Sequence, residues 1–282
     1  MPLQHLVDYF NQRFSEENGL SEPPLALSGK RVEGRFGGWV FTSRLQPIRL
    51  STSPSFVIGH DAAPVVVSPA GADGDGTHLL FADDVPSVVS LDRLSRTVHM
   101  LNYLPIAHDE GILFLQVHPR HVLAVKRDHG AYFEEIIQRC GLVLRRVAIT
   151  LTVSPAYDRQ LTLLLERLKN YRDRGYATAI KFDSRAGDEF LERYCIEFLY
   201  RFAPDFVRFD CLFFLKPNRN SAGDRRRAAL LSAIRRLDTQ LLIEGVRSET
   251  DAHLARMLSA DFVQGSHYDV AHVPEDLAEA AS

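Results

Sequence analysis

Histidine and cysteine are the side chains whose types most directly suggest metal or nucleophilic chemistry in this chain. The 282 residues include 11 histidines and 3 cysteines. His118 and His121 lie close together, but no His-Glu-x-x-His, Gly-x-Ser-x-Gly or Cys-x-x-Cys motif occurs in the sequence. We therefore interpret the histidines as scattered surface residues, and Cys140, Cys195 and Cys211 as reduced, mostly structural thiols.

The composition is that of an ordinary globular protein and excludes several functional classes. Hydrophobic residues make up 45% and charged residues 24% of the chain, which excludes wholesale disorder. With 33 Lys+Arg against 36 Asp+Glu, the net charge of −3 lacks the basic excess of a dedicated nucleic-acid binder. No stretch reaches the roughly 18 apolar residues of a membrane span, and Met1–Phe14 lacks the pattern of a secretory signal. We expect a cytoplasmic protein without a nucleic-acid partner.

Short apolar runs alternate with helical patterns from about Gly37 onward. This alternation predicts parallel strands joined by helical crossovers, and about seven repeats fit an α/β, TIM-like (β/α)8 barrel better than an open sheet. The predicted strands are Val40–Ile48, Gly111–Val117, Val147–Val153, Ala177–Phe182, Phe206–Phe214, Gln240–Gly245 and Phe262–Gln264. The predicted helices are Ser90–Tyr103, Gly130–Cys140, Tyr157–Arg174, Asp188–Phe202, Arg225–Leu237 and Glu249–Leu258.

An amphipathic helix is predicted at the start of the chain. Its apolar face consists of Leu3, Leu6, Val7, Phe10 and Phe14. We favour a helix that packs on the outside of the main domain, and a dimer or partner helix is the alternative. The predicted domains are a helix and linker over residues 1–36, a barrel over 37–272 and a tail over 273–282.

Five segments near the predicted strand ends share their order with a known family. They are Phe41-Thr-Ser-Arg-Leu-Gln-Pro-Ile48, Leu115-Gln-Val-His-Pro-Arg120, Val207-Arg-Phe-Asp210, Leu242-Ile-Glu-Gly-Val-Arg247 and Phe262-Val-Gln-Gly265. They resemble the EAL family, whose patterns there read roughly Tyr-Gln-Pro-Ile, Asn-Leu-Ser-Pro-Arg, Lys-Ile-Asp, Ala-Glu-Gly-Val-Glu and Val-Gln-Gly. EAL domains are barrel phosphodiesterases that hydrolyse the bacterial second messenger cyclic di-GMP. The resemblance implies an EAL-type barrel from about Gly37 to Val270.

The resemblance also shows departures at the positions where the family holds two metal ions. The Glu-Ala-Leu motif falls on Asp61-Ala-Ala63, the metal-binding Asn on Gln116, and the Glu-x-Thr-Glu strand end begins at Thr150. The two aspartates of a conserved family turn fall on Lys181 and Phe182. Divalent ions need several oxygen ligands, and a lysine ammonium would repel them. We therefore expect neither a metal ion nor another cofactor, and no phosphodiesterase activity.

Two basic residues of the predicted site suggest how it is filled. The family's catalytic-region lysine falls on Arg208, which with Lys181 supplies positive charge near the remaining carboxylates. We hypothesise a salt-bridged plug in which these two residues pair with Glu244, Asp210 or Asp183, because buried charges need partners. The alternative is that Lys181 points to solvent.

The resemblance leaves two functions for such a chain. We favour a catalytically inactive EAL-like regulatory module that binds a protein partner in bacterial signalling; the resemblance also admits a homodimer. The alternative is a receptor that binds cyclic di-GMP without cleaving it, and residual phosphodiesterase activity is favoured least. If the messenger is bound, its predicted contacts are Gln46, Asp61, Arg208, Glu244 and Gln264.

Overall fold

The computed structural model of the chain describes residues 3–18, 22–67, 74–75, 85–108, 110–125, 130–183, 188–215 and 221–269. The chain divides into two compact units. The first unit comprises Met1–Gln46, Gly59–Thr152 and Tyr157–Thr178, and the second comprises Pro47–Ile58, Val153–Ala156 and Ala179–Ser282.

The described residues form strands and helices in alternation. The strands are β1 (Leu25–Ser28), β2 (Arg31–Phe36), β3 (Trp39–Leu50), β4 (Ser53–Val66), β5 (Gly74–Asp75), β6 (Ile112–Val117), β7 (Val147–Val153), β8 (Ala177–Phe182), β9 (Phe206–Asp210), β10 (Gln240–Glu244) and β11 (Phe262–Val263). The helices are α1 (Leu3–Asn18), α2 (Val85–Tyr103), α3 (Pro119–Ala124), α4 (Ala131–Arg139), α5 (Leu161–Asp173), α6 (Asp188–Phe202), α7 (Cys211–Leu215), α8 (Ser221–Arg236) and α9 (Glu249–Met257).

The strand pairings close into a barrel. The order runs β3-β11-β10-β9-β8-β7-β6-β4, and a pairing between β4 and β3 joins the two ends. Strand β3 is antiparallel to β11, whereas β4–β6–β7 and β8–β9–β10–β11 pair in parallel. β1 and β2 extend the sheet beyond β3, and β5 pairs with β4. The predicted α/β barrel is thus confirmed for the described residues.

The N-terminal helix packs on its own domain, as the favoured interpretation predicts. The side chains of Leu6, Val7, Phe10 and Phe14 are all at most 2% exposed, and α1 contacts β1 and α2. Its apolar face is therefore buried inside the first unit and is not an unpartnered docking surface.

The structure differs from the prediction in several places. Strand β4 and helix α3 are absent from the predicted elements. Residues 25–36, expected in the linker, form β1 and β2. The strand predicted to run to Phe214 ends at Asp210, because the Asp210 carboxylate accepts the backbone N–H of Leu212 at 2.9 Å and helix α7 starts there. Phe213 and Phe214 then turn back onto Phe209.

In the described part of the chain, five connections between a helix and the next strand contain a residue with left-handed φ. They are Gly141, Gly175, Ala203, Asp238 and Ser259, with φ of 74°, 94°, 45°, 54° and 53°. Glycine adopts this conformation without strain, whereas other residues are disfavoured there by roughly 1–2 kcal/mol. The backbone is therefore strained at the three non-glycine residues, Ala203, Asp238 and Ser259.

We expect Ala203→Gly to stabilise the protein by about 0.5–1 kcal/mol, because relief of the left-handed strain exceeds the added entropy of the unfolded chain. Ala203 is exposed, so no buried surface is lost. The matched control is Ala228→Gly, at an exposed position inside α8, which should destabilise by about 1 kcal/mol. Urea unfolding midpoints measure both changes. Equal destabilisation by the two substitutions would contradict the left-handed assignment.

Candidate functional site

Three neighbouring parallel strands of the second unit bring charged side chains together. In the register of these strands, Lys181 of β8 lies beside Arg208 of β9, and Asp210 of β9 lies beside Glu244 of β10. Each residue stands at or near the carboxyl end of its strand, where α/β barrels place their chemistry. The sequence therefore positions two cations and two carboxylates at one end of β8–β10.

Both oxygens of the Glu244 carboxylate are bound by cations. Lys181 Nζ lies 2.6 Å from Glu244 Oε2, and Arg208 Nε donates to Glu244 Oε1. The Arg208 side chain is 1% exposed, that of Glu244 11% and that of Lys181 32%. We call Lys181, Arg208 and Glu244 the ion triad. The predicted salt bridge is confirmed for Glu244, and Lys181 does not simply extend into solvent.

The ion triad keeps Glu244 ionised although it is buried. Burial alone would raise the pKa of a carboxyl, but Arg208 and Lys181 outweigh that effect and lower the pKa of Glu244 to about 2. The two contacts are charge-assisted hydrogen bonds, which are stronger than neutral ones. Glu244 is therefore anionic at neutral pH, with its charge already compensated by side chains.

Phe182 lies in an aromatic cluster beside the ion triad. Its ring stacks on Phe209 at 4.9 Å between centroids, and Phe209 stacks on Phe213 at 5.2 Å. Phe214 packs edge-on to both Phe209 and Phe213, and Phe182 is 2% exposed. This position thus contributes packing and offers no oxygen ligand.

The predicted site residues of the first unit lie on β3, β4, β6 and β7. Gln116 lies beside Thr150 in the β6–β7 register, and its Nε2 donates to Thr152 Oγ1 at 3.0 Å. Thr150 is 1% exposed, whereas Asp61 and Gln46 are half-buried. Among these residues the structure brings together Gln116 and Thr150.

Gln264 follows β11 in the second unit and is 6% exposed. Its main chain is bonded on both sides, to Ile243 O at 3.0 Å and from Val246 N at 3.1 Å. The side-chain Nε2 is buried and finds no hydrogen-bond partner within the described ranges. Buried amide donors usually have a partner, and none of the described protein groups supplies one for Gln264 Nε2.

The sequence analysis missed a buried polar cluster in the first unit. Asp92 and Arg96 of α2 form an ion pair, and the other Asp92 oxygen accepts the N–H of His118 at 2.9 Å. His121 Nδ1 lies 3.3 Å from Asp92 Oδ2, and the Arg96 guanidinium lies 3.9 Å from the centroid of the Phe133 ring. Burial would raise the pKa of Asp92, but Arg96 and His121 hold it below its usual value. The sequence contains one signal for this pair: Asp92 and Arg96 are four residues apart, a spacing that places two side chains next to each other on a helix.

The expectation that the histidines lie at the surface is wrong for two of them. His121 is 4% exposed and His99 is 3% exposed. His99 lies between Ser43 Oγ at 2.7 Å and Ser95 Oγ at 3.1 Å, which satisfy both ring nitrogens without a charge. Burial lowers the pKa of His99 to about 3, so this ring is neutral at physiological pH. Both rings can be buried because each has polar partners: serine hydroxyls for His99 and the Asp92 carboxylate for His121.

The described part of the chain contains no group of three His, Cys, Asp or Glu side chains placed to hold a metal ion. Cys140, Cys195 and Cys211 are free thiols, as expected. None of the described helices combines the length and apolar character that a membrane crossing requires.

The similarity of this chain to known proteins is found by comparison with solved structures. No family model matches the sequence, and no curated protein is similar to it. The PaMucR phosphodiesterase in its c-di-GMP complex is 18% identical with a TM-score of 0.61, over 80% of this chain and 89% of that chain. Klebsiella pneumoniae BlrP1, in a calcium and c-di-GMP complex, is 17% identical with a TM-score of 0.66, over 92% and 63%.

A third similar structure is the Bacillus subtilis YkuI protein with an EAL domain, in complex with c-di-GMP and calcium. It is 16% identical with a TM-score of 0.64, over 80% of this chain and 54% of that chain. This chain has the EAL-type fold. It spans less than two thirds of the length of BlrP1 and YkuI, and the identities support the shared barrel alone. The expected EAL-type architecture is thereby confirmed.

We expect Glu244→Gln to destabilise the protein by about 3–5 kcal/mol at pH 7, because the substitution leaves the buried Arg208 without its counter-charge. The pKa of Glu244 is lowered from 4.5 to about 2 on folding. Its stabilising contribution is therefore complete above about pH 4.5 and is lost as the pH falls toward about 2. The difference in unfolding free energy between wild type and variant should shrink over that range.

Urea unfolding at several pH values between 7 and 3 measures this difference. The control is Glu249→Gln, because Glu249 pairs with Arg256 and His267 on the exposed surface of α9 and should matter far less. A difference that stays constant with pH would contradict the ion triad.

Proposed function

We propose that this chain is a non-hydrolysing regulatory protein of bacterial cyclic di-GMP signalling, located in the cytoplasm, that acts by binding a protein partner. The proposal rests on Glu244, because both of its carboxylate oxygens are bound by the cationic side chains of Lys181 and Arg208. The fold is shared with the PaMucR phosphodiesterase and with BlrP1, both in structures that contain c-di-GMP. In addition, we propose that this barrel does not hydrolyse cyclic di-GMP.

The residues of the ion triad do not fit a divalent cation. BlrP1 and YkuI are seen in calcium complexes, and such ions take six or more oxygen ligands. In this chain both Glu244 oxygens bind cationic side chains, so an ion there would have to displace Lys181 and Arg208. The neighbouring Phe182 side chain has no oxygen and is packed among aromatic rings. Metal-assisted hydrolysis is therefore not part of the proposed function.

The alternative function, a receptor that binds cyclic di-GMP without cleaving it, is favoured by one observation. The buried Nε2 of Gln264 finds no partner among the described residues, and an unmade buried hydrogen bond costs roughly 1–3 kcal/mol. A guanine or phosphate oxygen would satisfy this donor. Gln46 and Asp61 lie in the first unit and Arg208, Glu244 and Gln264 in the second, so a shared ligand site stays a prediction.

We expect no hydrolysis of cyclic di-GMP in the presence of Mg²⁺ or Mn²⁺, measured by chromatographic detection of the linear product over hours. Mn²⁺ should also remain free in an electron paramagnetic resonance titration of the full chain, because its candidate oxygens are already bound by cations. A phosphodiesterase with intact metal ligands serves as the positive control. Turnover that disappears in Glu244→Ala would contradict the proposal.

Calorimetry with cyclic di-GMP separates the two functions. The protein-binding function predicts no saturable heat, with or without Mg²⁺. The receptor function predicts binding that survives chelation of metal and weakens at least tenfold in Gln264→Ala and Gln46→Ala, because both variants remove predicted polar contacts. The matched control is Gln240→Ala, at the exposed amino-terminal end of β10, which should leave any binding unchanged.

A further inference from the structure

The buried polar cluster of the first unit joins helix α3 to helix α2. Asp92 and Arg96 of α2 and His121 of α3 are all at most 7% exposed, and we call these three residues the polar latch. The Asp92 carboxylate also accepts the backbone N–H of His118, at 2.9 Å, in the turn between β6 and α3. One acid therefore holds both the turn before α3 and a side chain within the helix.

The contacts of His121 determine where its ring proton lies. Arg96 Nη2 lies 3.3 Å from His121 Nε2, and because a guanidinium carries donors only, Nε2 has to be the acceptor. The proton of the neutral ring then lies on Nδ1, which is 3.3 Å from Asp92 Oδ2. The neutral ring thus faces a donor on one side and an acceptor on the other.

A second proton on the His121 ring would lie on Nε2 and face the Arg96 guanidinium. Asp92 Oδ2 and Arg96 Nη2 are both 3.3 Å from the ring, so the attraction of a charged ring to Asp92 and its repulsion from Arg96 are similar in size by Coulomb's law. The loss of hydration at this buried position then decides the balance, and it disfavours the charged ring. The closed latch therefore holds His121 neutral.

The surroundings of the latch supply no additional negative charge. Its titratable and charged neighbours among the described residues are Arg93 and His99 of α2, His118 and Arg120 at the start of α3, Arg167 and Tyr171 of α5, and Tyr176 before β8. None of these is a carboxylate. Burial raises the pKa of Tyr171 and Tyr176 and lowers that of His99 and His118, so these four groups stay neutral at neutral pH.

The other end of α3 is attached by a contact that does not titrate. Arg167 of α5 donates to Val122 O at 2.8 Å and to Val125 O at 3.1 Å, and a guanidinium remains charged at all physiological pH. The pH-sensitive attachment therefore lies at the start of α3. This start follows β6 directly, and Gln116 stands two residues before His118.

We propose that Asp92, Arg96 and His121 form an acid-sensitive latch that holds the β6–α3 turn to α2 at neutral pH and releases it in mild acid. A solvent-exposed histidine binds a proton with a pKa of about 6.5, so a released His121 takes up a proton that the closed latch disfavours. Proton uptake thus favours release, and the latch weakens as the pH falls below about 6.5. The inference goes beyond the proposed function and depends neither on a partner nor on the ion triad.

Hydrogen–deuterium exchange of the full chain at pH 7.5 and 5.5, corrected for the intrinsic effect of pH on exchange, tests the latch. A released histidine is about 10% protonated at pH 7.5 and about 90% at pH 5.5, so protection of residues 118–125 should fall about tenfold. His121→Gln should limit this fall to twofold, because a carboxamide can accept from Arg96 and donate to Asp92 but does not titrate. The matched control His5→Gln, at an exposed position of α1 in the same unit, should retain the tenfold fall.

Nitrogen-15 NMR of the histidine rings in the wild-type chain at pH 7.5 tests the tautomer and needs no substitution. It should show a neutral His121 ring with its proton on Nδ1. A charged ring, or a proton on Nε2, would overturn the proposal even if His121→Gln does not fold. Constant protection in the wild type would also overturn it. An equal fall in the wild type and in His121→Gln would assign the acid sensitivity to another group, such as His118, and would overturn the role of His121.

Discussion

The Glu244 carboxylate is the charge around which the end of the β8–β10 sheet is built. A buried carboxylate is stable only when its charge is compensated, and the same holds for the Arg208 guanidinium, which is 1% exposed. Each side chain thus makes the burial of the other tolerable. Lys181 completes the compensation from the solvent side. The strands have to keep their register for these three side chains to meet.

The sequence indicated the barrel and the ion triad for the same physical reason. Parallel neighbouring strands carry their carboxyl ends at one edge, so residues at corresponding strand ends, such as Lys181, Arg208 and Glu244, come together once the register is known. The boundary between β9 and α7 could not be obtained in this way. The apolar run after Asp210 fits a strand as well as a helix, and a capping contact from one carboxylate decides between them.

The buried cluster around Asp92 shows another limit of prediction. A pair spaced by four on a helix is usually an exposed salt bridge, and its burial depends on what other elements bring to it. Here Phe133 comes from α4 and His121 from α3, both distant in the sequence. The hydrophobic pattern of α2 contains no sign of these partners. Charged residues inside a core are therefore found from tertiary packing and not from periodicity.

Two asparagine side chains from helices satisfy backbone groups of β1 and β2. Asn11 bonds both the N–H and the C=O of Leu25, and Asn102 of α2 bonds both groups of Val32 at 2.8 Å. A carboxamide offers one donor group and one acceptor in the geometry of a neighbouring peptide. Helices α1 and α2 can thus take the place of strands for these residues.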